Sequence, residues 1–346
     1  MTEFGFDMSK RATKENLLKF AYEINKISKQ IGFKVSSRGW CYQLENAGVI
    51  NKSEFNRVEN LINKCRKTGI LPIDFTAEEE GRKFSVVENP TQASPIQNMR
   101  QWIEASMQSE EYYTPDWWEG EEYYIQMVVE KIDLKTLFLP VCKEYHIPVA
   151  TSKGWSSMLQ RATYSRRFMR AEQKGLKCVL LYCGDFDADG LRISDFLRKN
   201  LNDLKNVVWD NGEHGYDPSN LIIKRFGLNF DFIEKHKLAW INNMITGSGK
   251  NLADPLHPNN KMEYVQDYIK RYGVRKCEAN AIVPMPVIAK ELVKGAIINL
   301  LGDGALDRFQ DKMDKVKEVL DDFKEKTGLQ KSLQYALDLI DAEDED

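Results

Sequence analysis

The sequence predicts an α/β fold in which a parallel, Rossmann-like sheet follows a basic helical module. The first observation is the run Val179–Cys183, which is apolar throughout, stops at Gly184 and leads into an acidic loop. An apolar run without polar alternation is typical of a central parallel strand covered on both faces. The second observation is another β-rich run, Tyr123–Val129, followed by a helical pattern and the short run Pro148–Ala150, as in a β-α-β unit.

Length and composition indicate an ordinary folded protein. The 346 residues are enough for two domains with a core each, and 42% of them are hydrophobic and 29% charged. No apolar run approaches the roughly 20 residues that cross a bilayer, and the N-terminus carries Glu3 and Asp7 where a signal peptide would be apolar. The six cysteines form no CxxC pair, so we expect reduced, structural thiols and no zinc site. A cytoplasmic, nucleoid-associated protein is the expectation.

Charge is unevenly placed along the chain. Residues 1–70 contain 13 Lys/Arg and 7 Asp/Glu, a net charge of +6, whereas residues 71–125 contain 3 and 12, a net charge of −9. A basic module next to an acidic segment is a local footprint for a polyanionic partner such as nucleic acid.

The basic module reads as three short helices. Helical periodicity covers residues 10–31, Ser37–Asn46 and Glu54–Thr68, and Ser53 is the predicted N-cap of the third helix. The run Gly81–Val87 follows as a wing strand. This order of elements predicts an α+β winged helix–turn–helix domain.

A winged helix offers its third helix to the major groove of double-stranded DNA. The side chains that lie off the apolar face of that helix and suit DNA contact are Arg57, Asn60, Lys64 and Lys67. Charge pattern alone leaves a solvated basic helix as an equal alternative. Lys153, just past the second strand, is a further candidate for a phosphate contact, with a solvated lysine as its alternative.

The loop after the apolar run carries three aspartates at alternate positions. Asp185, Asp187 and Asp189 follow one strand, and Glu130 ends the preceding one, so all four should share one edge of the sheet. Closely spaced carboxylates suit Mg²⁺ or Mn²⁺. The alternatives are a solvated acidic turn and a calcium-binding EF-hand loop, although Phe196 stands where that loop needs a glutamate.

The order of these elements resembles a Toprim domain. A strand ending in Glu130, a helix, a strand leading to residues 152–154, a second helix and a strand ending in DxDxDG follow one another as in that family. The resemblance implies that Glu130, Asp185, Asp187 and Asp189 bind a divalent metal, as in topoisomerases, primases and some nucleases.

Arg38 and Tyr42 lie four residues apart on the second predicted helix and therefore share a face. A phenol with a pKa of about 10 is protonated at neutral pH. A neighbouring guanidinium favours the phenolate and can hold a phosphate through paired hydrogen bonds. The alternative is an ordinary half-buried tyrosine.

The stretch Ser37–Tyr42 resembles the Arg-x-x-(Tyr/Phe)-Tyr motif of the topoisomerase VI A subunit and the related meiotic double-strand-break transesterase. The resemblance implies that Tyr42 attacks DNA and becomes linked to a 5′ phosphate. It also implies a homodimer, in which the tyrosine of one protomer works with the metal of the other, and a separate B-like ATPase. Two positions depart from the family pattern: Cys41 replaces an aromatic residue, and Ala188 replaces a proline.

The resemblance covers most of residues 35–285 and divides the chain into four parts. They are a winged-helix domain (1–90), a linker with one helix (91–122), a Toprim domain (123–285) and a helical C-terminal region with an acidic tail (286–346). The predicted function is Mg²⁺-dependent DNA cleavage by tyrosine transesterification, with catalytic roles for Tyr42, Arg38 and Glu130. The alternatives are a Toprim nuclease that hydrolyses DNA with metal-activated water and a non-catalytic DNA-binding dimer. Glu278 receives little weight as a site residue.

Overall fold

A computed structural model gives the structure of the chain and describes residues 4–77, 91–151, 158–246 and 249–344. The helices are α1 (Lys14–Ile31), α2 (Ser37–Asn46), α3 (Phe55–Lys67), α4 (Pro95–Met107), α5 (Ile132–Glu144), α6 (Met158–Gln173), α7 (Ile193–Asn202), α8 (Phe230–His236), α9 (Glu263–Tyr272), α10 (Pro286–Leu301), α11 (Ala305–Thr327) and α12 (Leu329–Asp344). The strands are β1 (Tyr123–Val129), β2 (Val149–Thr151), β3 (Lys177–Cys183) and β4 (Ile222–Gly227). The predicted wing strand Gly81–Val87 and Lys153 lie outside the described residues.

The four strands form one parallel sheet in the order β2-β1-β3-β4. Every residue of β3 after Lys177 is buried, as expected for a central strand. The predicted α/β class with a parallel sheet is therefore confirmed. Among the described residues, no helix is both long and apolar enough to span a bilayer.

The chain divides into two compact units. The first contains Met1–Glu78 and Glu122–Leu300, and the second contains Glu79–Glu121 and Leu301–Asp346. The basic helical module and the parallel sheet thus belong to one unit. The segment interpreted as a linker contributes α4 to the other.

Local capping sets the bounds of the N-terminal helices. Thr13 caps α1 by accepting a hydrogen bond from the amide of Asn16, so the helix begins at Lys14 rather than at residue 10. The predicted N-cap Ser53 is wrong, because Asn51 and Glu54 form a reciprocal capping box over a 3₁₀ turn that precedes α3. The helices bury their apolar faces around residues such as Phe20, Ile24, Trp40, Leu44 and Ile62.

In the second unit, one buried lysine and one aromatic contact join segments that are far apart in the sequence. Lys324 on α11 is buried, and its Nζ donates to the carbonyl of Met107 at the end of α4, at 2.6 Å. Trp117 packs against Phe309 with a ring-centroid distance of 4.7 Å. The α12 helix runs to Asp344, so the acidic C-terminal segment is helical up to that residue.

Candidate functional site

The candidate site lies where β1 and β3 end side by side. Val129 is paired with Cys183 in the sheet, so the next residues of both strands emerge together. The backbone amide of Asp185 donates to Oε2 of Glu130 at 2.8 Å. The predicted proximity of Glu130 and Asp185 at one sheet edge is therefore confirmed.

Two glycines allow the acidic loop to fold tightly. A Cβ on Gly184 would collide with the hydroxyl of Tyr182 and with Glu130, and a Cβ on Gly190 would collide with the carbonyl oxygen of Asp185. At Gly190 the obstacle is backbone, which cannot rotate away. The loop conformation therefore requires glycine at position 190, whereas a side chain at position 184 would force Tyr182 and Glu130 to move.

Arg225 on β4 fixes the same loop from the neighbouring strand. Its guanidinium donates to the carbonyl oxygens of Gly190 at 2.9 Å, Gly184 at 2.8 Å and Asp185 at 2.9 Å. A planar guanidinium presents several donors in a fixed geometry, so one side chain can hold three carbonyls. No sequence pattern predicts this role, because the residue lies some 40 positions further along the chain.

Asp187 and Asp189 each have a partner of their own. Oδ1 of Asp187 accepts from the amide of Gly190 at 2.6 Å, which closes the loop. Oδ1 of Asp189 accepts from the hydroxyl of Tyr264 at 3.0 Å. Burial and the hydrogen bond to Asp189 raise the pKa of Tyr264 to about 12. The hydroxyl therefore stays protonated at neutral pH and donates this hydrogen bond.

The sheet edge that carries Glu130 and Asp185 is called the acidic edge below. Its central side chain is a lysine and not a further acid. The Nζ atom of Lys131 lies 2.8 Å from Asp185 Oδ2, 3.2 Å from Glu130 Oε1 and 3.3 Å from Glu278 Oε2. These carboxylates come from the ends of two strands and from a distant loop. Their convergence on one ammonium shows that the edge is built around a positive charge.

Glu278 is the site residue that sequence reasoning underrated. It is 3% exposed, and besides Lys131 it contacts Lys276 at 2.7 Å and Lys52 at 3.2 Å. An antiparallel bridge between Phe186 and Cys277 places its segment beside the acidic loop. The signal in the sequence was the charged pair Lys276 and Glu278 directly before residues 279–283, which are apolar except for Asn280, since charge has to be neutralised on burial.

Burial and neighbouring charges move the pKa values of this cluster in opposite directions. Burial raises the pKa of Glu278, but the ammonium groups of Lys131, Lys276 and Lys52 outweigh it and hold the pKa well below its usual range. Burial, Glu130 and Glu278 raise the pKa of Asp185 well above its ordinary value, against the opposing effect of Lys131. Asp185 is therefore the member of the cluster whose charge depends most on a nearby cation.

The donor chemistry of the edge fits a hard divalent cation. Carboxylate oxygens are the ligands that Mg²⁺ and Mn²⁺ prefer, and the oxygens of Glu130, Asp185 and Glu278 already surround a cationic group. Among the described residues, however, no three Asp, Glu, His or Cys side chains are grouped closely enough to hold a metal ion as they stand. The oxygens lie at ammonium distances of 2.8–3.3 Å, whereas Mg²⁺ needs about 2.1 Å.

Tyr42 lies next to this edge in the same chain. Its ring centroid is 5.4 Å from Nζ of Lys131, and the ring packs edge-on against Phe55. Burial raises the pKa of Tyr42, and this effect outweighs the lowering by Lys131 and Arg38. The phenol is therefore protonated in the free protein. The expectation that a nearby guanidinium favours the phenolate gives the correct direction for Arg38, but burial has the larger effect.

Arg38 and Tyr42 share a face of α2, as the spacing predicts, since both pack on Phe55. The guanidinium carbon of Arg38 lies 4.6 Å from the Phe55 ring centroid, and the side chain forms a 3.5 Å ion pair with Glu59. Arg38 is half exposed and can therefore exchange this partner for a phosphate. Cys41, which departs from the family motif, is fully buried, and burial raises its thiol pKa to about 12.

The helix that carries Tyr42 is held by α5 at its N-terminus and by the segment around Asn280 along its buried face. Asp133 on α5 is buried, and it accepts from the amide of Ser36, the N-cap of α2, at 3.3 Å. Gly39 lies so close to Asp133 that a Cβ would collide with the carboxylate. Nε2 of Gln43 donates to the carbonyl of Asn280 at 3.3 Å.

The predicted DNA-contacting side chains of α3 do not form one set. Asn60, Lys64 and Lys67 are exposed. Arg57 instead donates to the carbonyl of Lys10 at 2.7 Å and holds the N-terminal segment. The exposed face of α3 is therefore formed by Asn60, Lys64 and Lys67 and not by Arg57.

Comparisons with protein-family models, with curated proteins and with solved structures find no match for this chain. Its function is therefore inferred from the residues and their geometry.

Proposed function

We propose that this protein is a Mg²⁺-dependent DNA-cleaving transesterase of the topoisomerase VI A-subunit type. In this proposal residues 1–90 form a winged-helix domain and residues 123–285 form a Toprim domain. The observation that carries it is the position of Tyr42, whose ring lies 5.4 Å from the lysine at the centre of the acidic edge. A tyrosine nucleophile and a phosphate-activating acidic site belong together in such an enzyme.

In the proposed reaction, the phenolic oxygen of Tyr42 attacks a DNA phosphorus atom. A bond between the tyrosine and the 5′ phosphate forms while the bond to the 3′ oxygen breaks, and the proton lost by the phenol balances the one gained by that 3′ oxygen. One phosphodiester replaces another, so the break is reversible. Because the pKa of Tyr42 is raised, the nucleophile stays protonated until DNA arrives.

The other residues have supporting roles in this proposal. Arg38 leaves Glu59 and holds the phosphate beside Tyr42. A divalent cation held by Glu130, Asp185 and Asp187, with Asp189 completing the set, would stabilise charge on the phosphate and on the leaving oxygen. The exposed residues Asn60, Lys64 and Lys67, together with Arg57 and Lys153 of the predicted set, would contact double-stranded DNA.

Partners follow from the same proposal. Duplex passage would require a separate B-like ATPase, and the resemblance to the topoisomerase VI A subunit implies a homodimer acting at the nucleoid. In the structure, Tyr42 lies next to Lys131 of its own chain, and this lysine contacts Glu130 and Asp185. A site built within one protomer is therefore the arrangement that the geometry favours.

A second candidate is a nuclease that hydrolyses DNA with metal-activated water. The raised pKa of Tyr42 favours it, since a protonated phenol is a poor nucleophile. In that enzyme Tyr42 only packs against Phe55 and Lys131.

The deciding experiment incubates the protein with supercoiled plasmid and Mg²⁺ or Mn²⁺, denatures it rapidly and measures protein covalently attached to DNA. We expect attachment at 5′ ends with the wild type and none with Tyr42→Phe. Tyr22→Phe is the matched control, because Tyr22 is an exposed tyrosine of the same module. Cleaved DNA with free ends in both wild type and Tyr42→Phe would establish the nuclease, and DNA binding without any cleavage would favour a binding protein.

The same assay tests where the tyrosine acts. A mixture of Tyr42→Phe and Asp187→Asn proteins should stay inactive if each site is built from one chain. Recovery of cleavage in the mixture would show that the tyrosine works with the acids of a partner protomer.

A further inference from the structure

Lys131 occupies the centre of the acidic edge through contacts with three separate segments. Its ammonium contacts Glu130 after β1, Asp185 after β3 and Glu278 in the loop that precedes α10, all within 3.3 Å. The side chain is 19% exposed, so little water competes for these contacts. One lysine thus lies between three carboxylates that the fold would otherwise leave clustered, and Glu278 among them is also paired with Lys276 and Lys52.

An ammonium and a divalent cation would compete for the same carboxylate oxygens, because Oε1 of Glu130 and Oδ2 of Asp185 both accept from Lys131. Mg²⁺ approaches its oxygen ligands to about 2.1 Å and is held mainly by charge, so it would need Glu130 and Asp185 to turn away from Lys131. Two cations between the same acids would also repel one another at short range in a partly buried setting. Metal binding by these two oxygens therefore requires that the ammonium move away from them.

The same ammonium also lies over an aromatic ring. The distance between Nζ of Lys131 and the centroid of the Tyr42 ring is 5.4 Å. An aromatic face attracts a cation at such distances. An ammonium that leaves the acids would therefore keep one attractive partner in the ring of Tyr42.

We propose that the ammonium of Lys131 competes with the divalent cation for the carboxylates of Glu130 and Asp185. Before metal binds, the ammonium holds the acidic edge together, and metal binding displaces it toward Tyr42 and the bound phosphate. This inference rests on the proposed function, since it concerns the same metal site. It adds a residue outside the predicted metal-binding set and gives it a role in determining how tightly the metal binds.

The first test compares Mn²⁺ affinity in the wild type, Lys131→Met and Lys135→Met, measured by calorimetry or by the spin-resonance signal of free Mn²⁺. Lys135 is the matched control because it lies one turn further along α5 and forms no ion pair within the described residues. We expect Lys131→Met to bind Mn²⁺ about tenfold more tightly, within the usual range for coupling between two binding events. Lys135→Met should match the wild type. Equal or weaker binding by Lys131→Met would overturn the proposal.

A second test uses the wild-type protein and so does not depend on the folding of a variant. Limited acylation of lysine amines, followed by peptide mass spectrometry, reports how accessible each ammonium is. We expect labelling of Lys131 to rise several-fold when Mg²⁺ is added, while labelling of Lys135 stays constant. An unchanged Lys131 would contradict displacement.

These readouts are separate from DNA cleavage. Tighter Mn²⁺ binding by Lys131→Met without any Tyr42-dependent adduct would support the proposed role of Lys131 and refute the proposed transesterase activity. A Tyr42-dependent adduct together with unchanged Mn²⁺ affinity of Lys131→Met would support the transesterase activity and refute the role of Lys131.

Discussion

Two ion pairs of equal length show how differently this protein uses lysine. Lys19 and Glu15 on α1 are 2.7 Å apart, with side chains 61% and 77% exposed. Lys276 and Glu278 are also 2.7 Å apart, with both side chains 4% exposed. The first pair is surrounded by water, and the second is enclosed beside the acidic edge.

Distance alone therefore does not measure what an ion pair contributes to stability. Water screens the Lys19–Glu15 pair, and water can replace either partner. Inside the protein, each charge of the second pair has lost its hydration and depends on its neighbours. Lys276 also donates to the carbonyl of Ile245 at 2.6 Å, so its removal affects two acceptors.

Removal of the buried lysine should change stability the most. Lys276→Met should lower the free energy of unfolding by about 3 kcal/mol, the lower end of the range for breaking a buried pair, because Lys52 and Lys131 still contact Glu278. Lys19→Met should leave it unchanged. Urea unfolding of both variants measures the contrast, and equal effects would show that burial does not distinguish the pairs.

The pH dependence of stability separates the two pairs in a second way. The pKa of Glu278 is lowered in the folded protein, so its carboxylate contributes fully above its ordinary pKa of 4.5. That contribution is lost as the pH falls below 4.5 toward the folded-state pKa. We therefore expect the difference in unfolding free energy between wild type and Glu278→Gln to be constant near neutral pH and to shrink below 4.5. Glu15→Gln, at the surface, serves as the control. A difference that persists undiminished in acid would contradict this assignment.

The exposed lysines of α3 should matter least for stability. Lys64→Ala combined with Lys67→Ala should leave urea unfolding nearly unchanged, because both side chains are exposed. DNA affinity should fall, and the slope of log affinity against log salt should decrease by about 1 for each phosphate that the protein no longer binds. Lys326→Ala on α11, 72% exposed at its side chain, is the control. If the slope of log affinity against log salt stays at the wild-type value, then Lys64 and Lys67 of α3 do not contact DNA.

The sequence was sufficient to predict the parallel sheet and its acidic edge. The apolar runs of β1 and β3 each end in a carboxylate, and parallel pairing brings their ends together, so Glu130 and Asp185 could be placed in advance. Lys131 could not be assigned, because its position depends on Glu278, which is far away in sequence and is brought back by the bridge between Phe186 and Cys277. Pairings of that kind leave no local pattern.

The same limit applies to the tyrosine. Spacing predicted that Arg38 and Tyr42 share a face of α2, and both pack on Phe55. The distance from Tyr42 to the acidic edge depends on how α2 packs against the segment before α10, where Gln43 donates to the carbonyl of Asn280. Burial in that packing raises the pKa of the phenol, an effect that neighbouring charges in the sequence do not reveal.

The partly buried hydrogen bond between Asp133 and the start of α2 limits how the site can move. Asp133 lies on α5, which begins two residues after Glu130, so the acidic edge and the tyrosine helix are attached to the same rigid element. A movement that carries α2, and Tyr42 with it, away from α5 has to break the bond from the amide of Ser36 to Asp133. The rate at which that amide exchanges its hydrogen with solvent therefore reports how often the nucleophile and the acids separate.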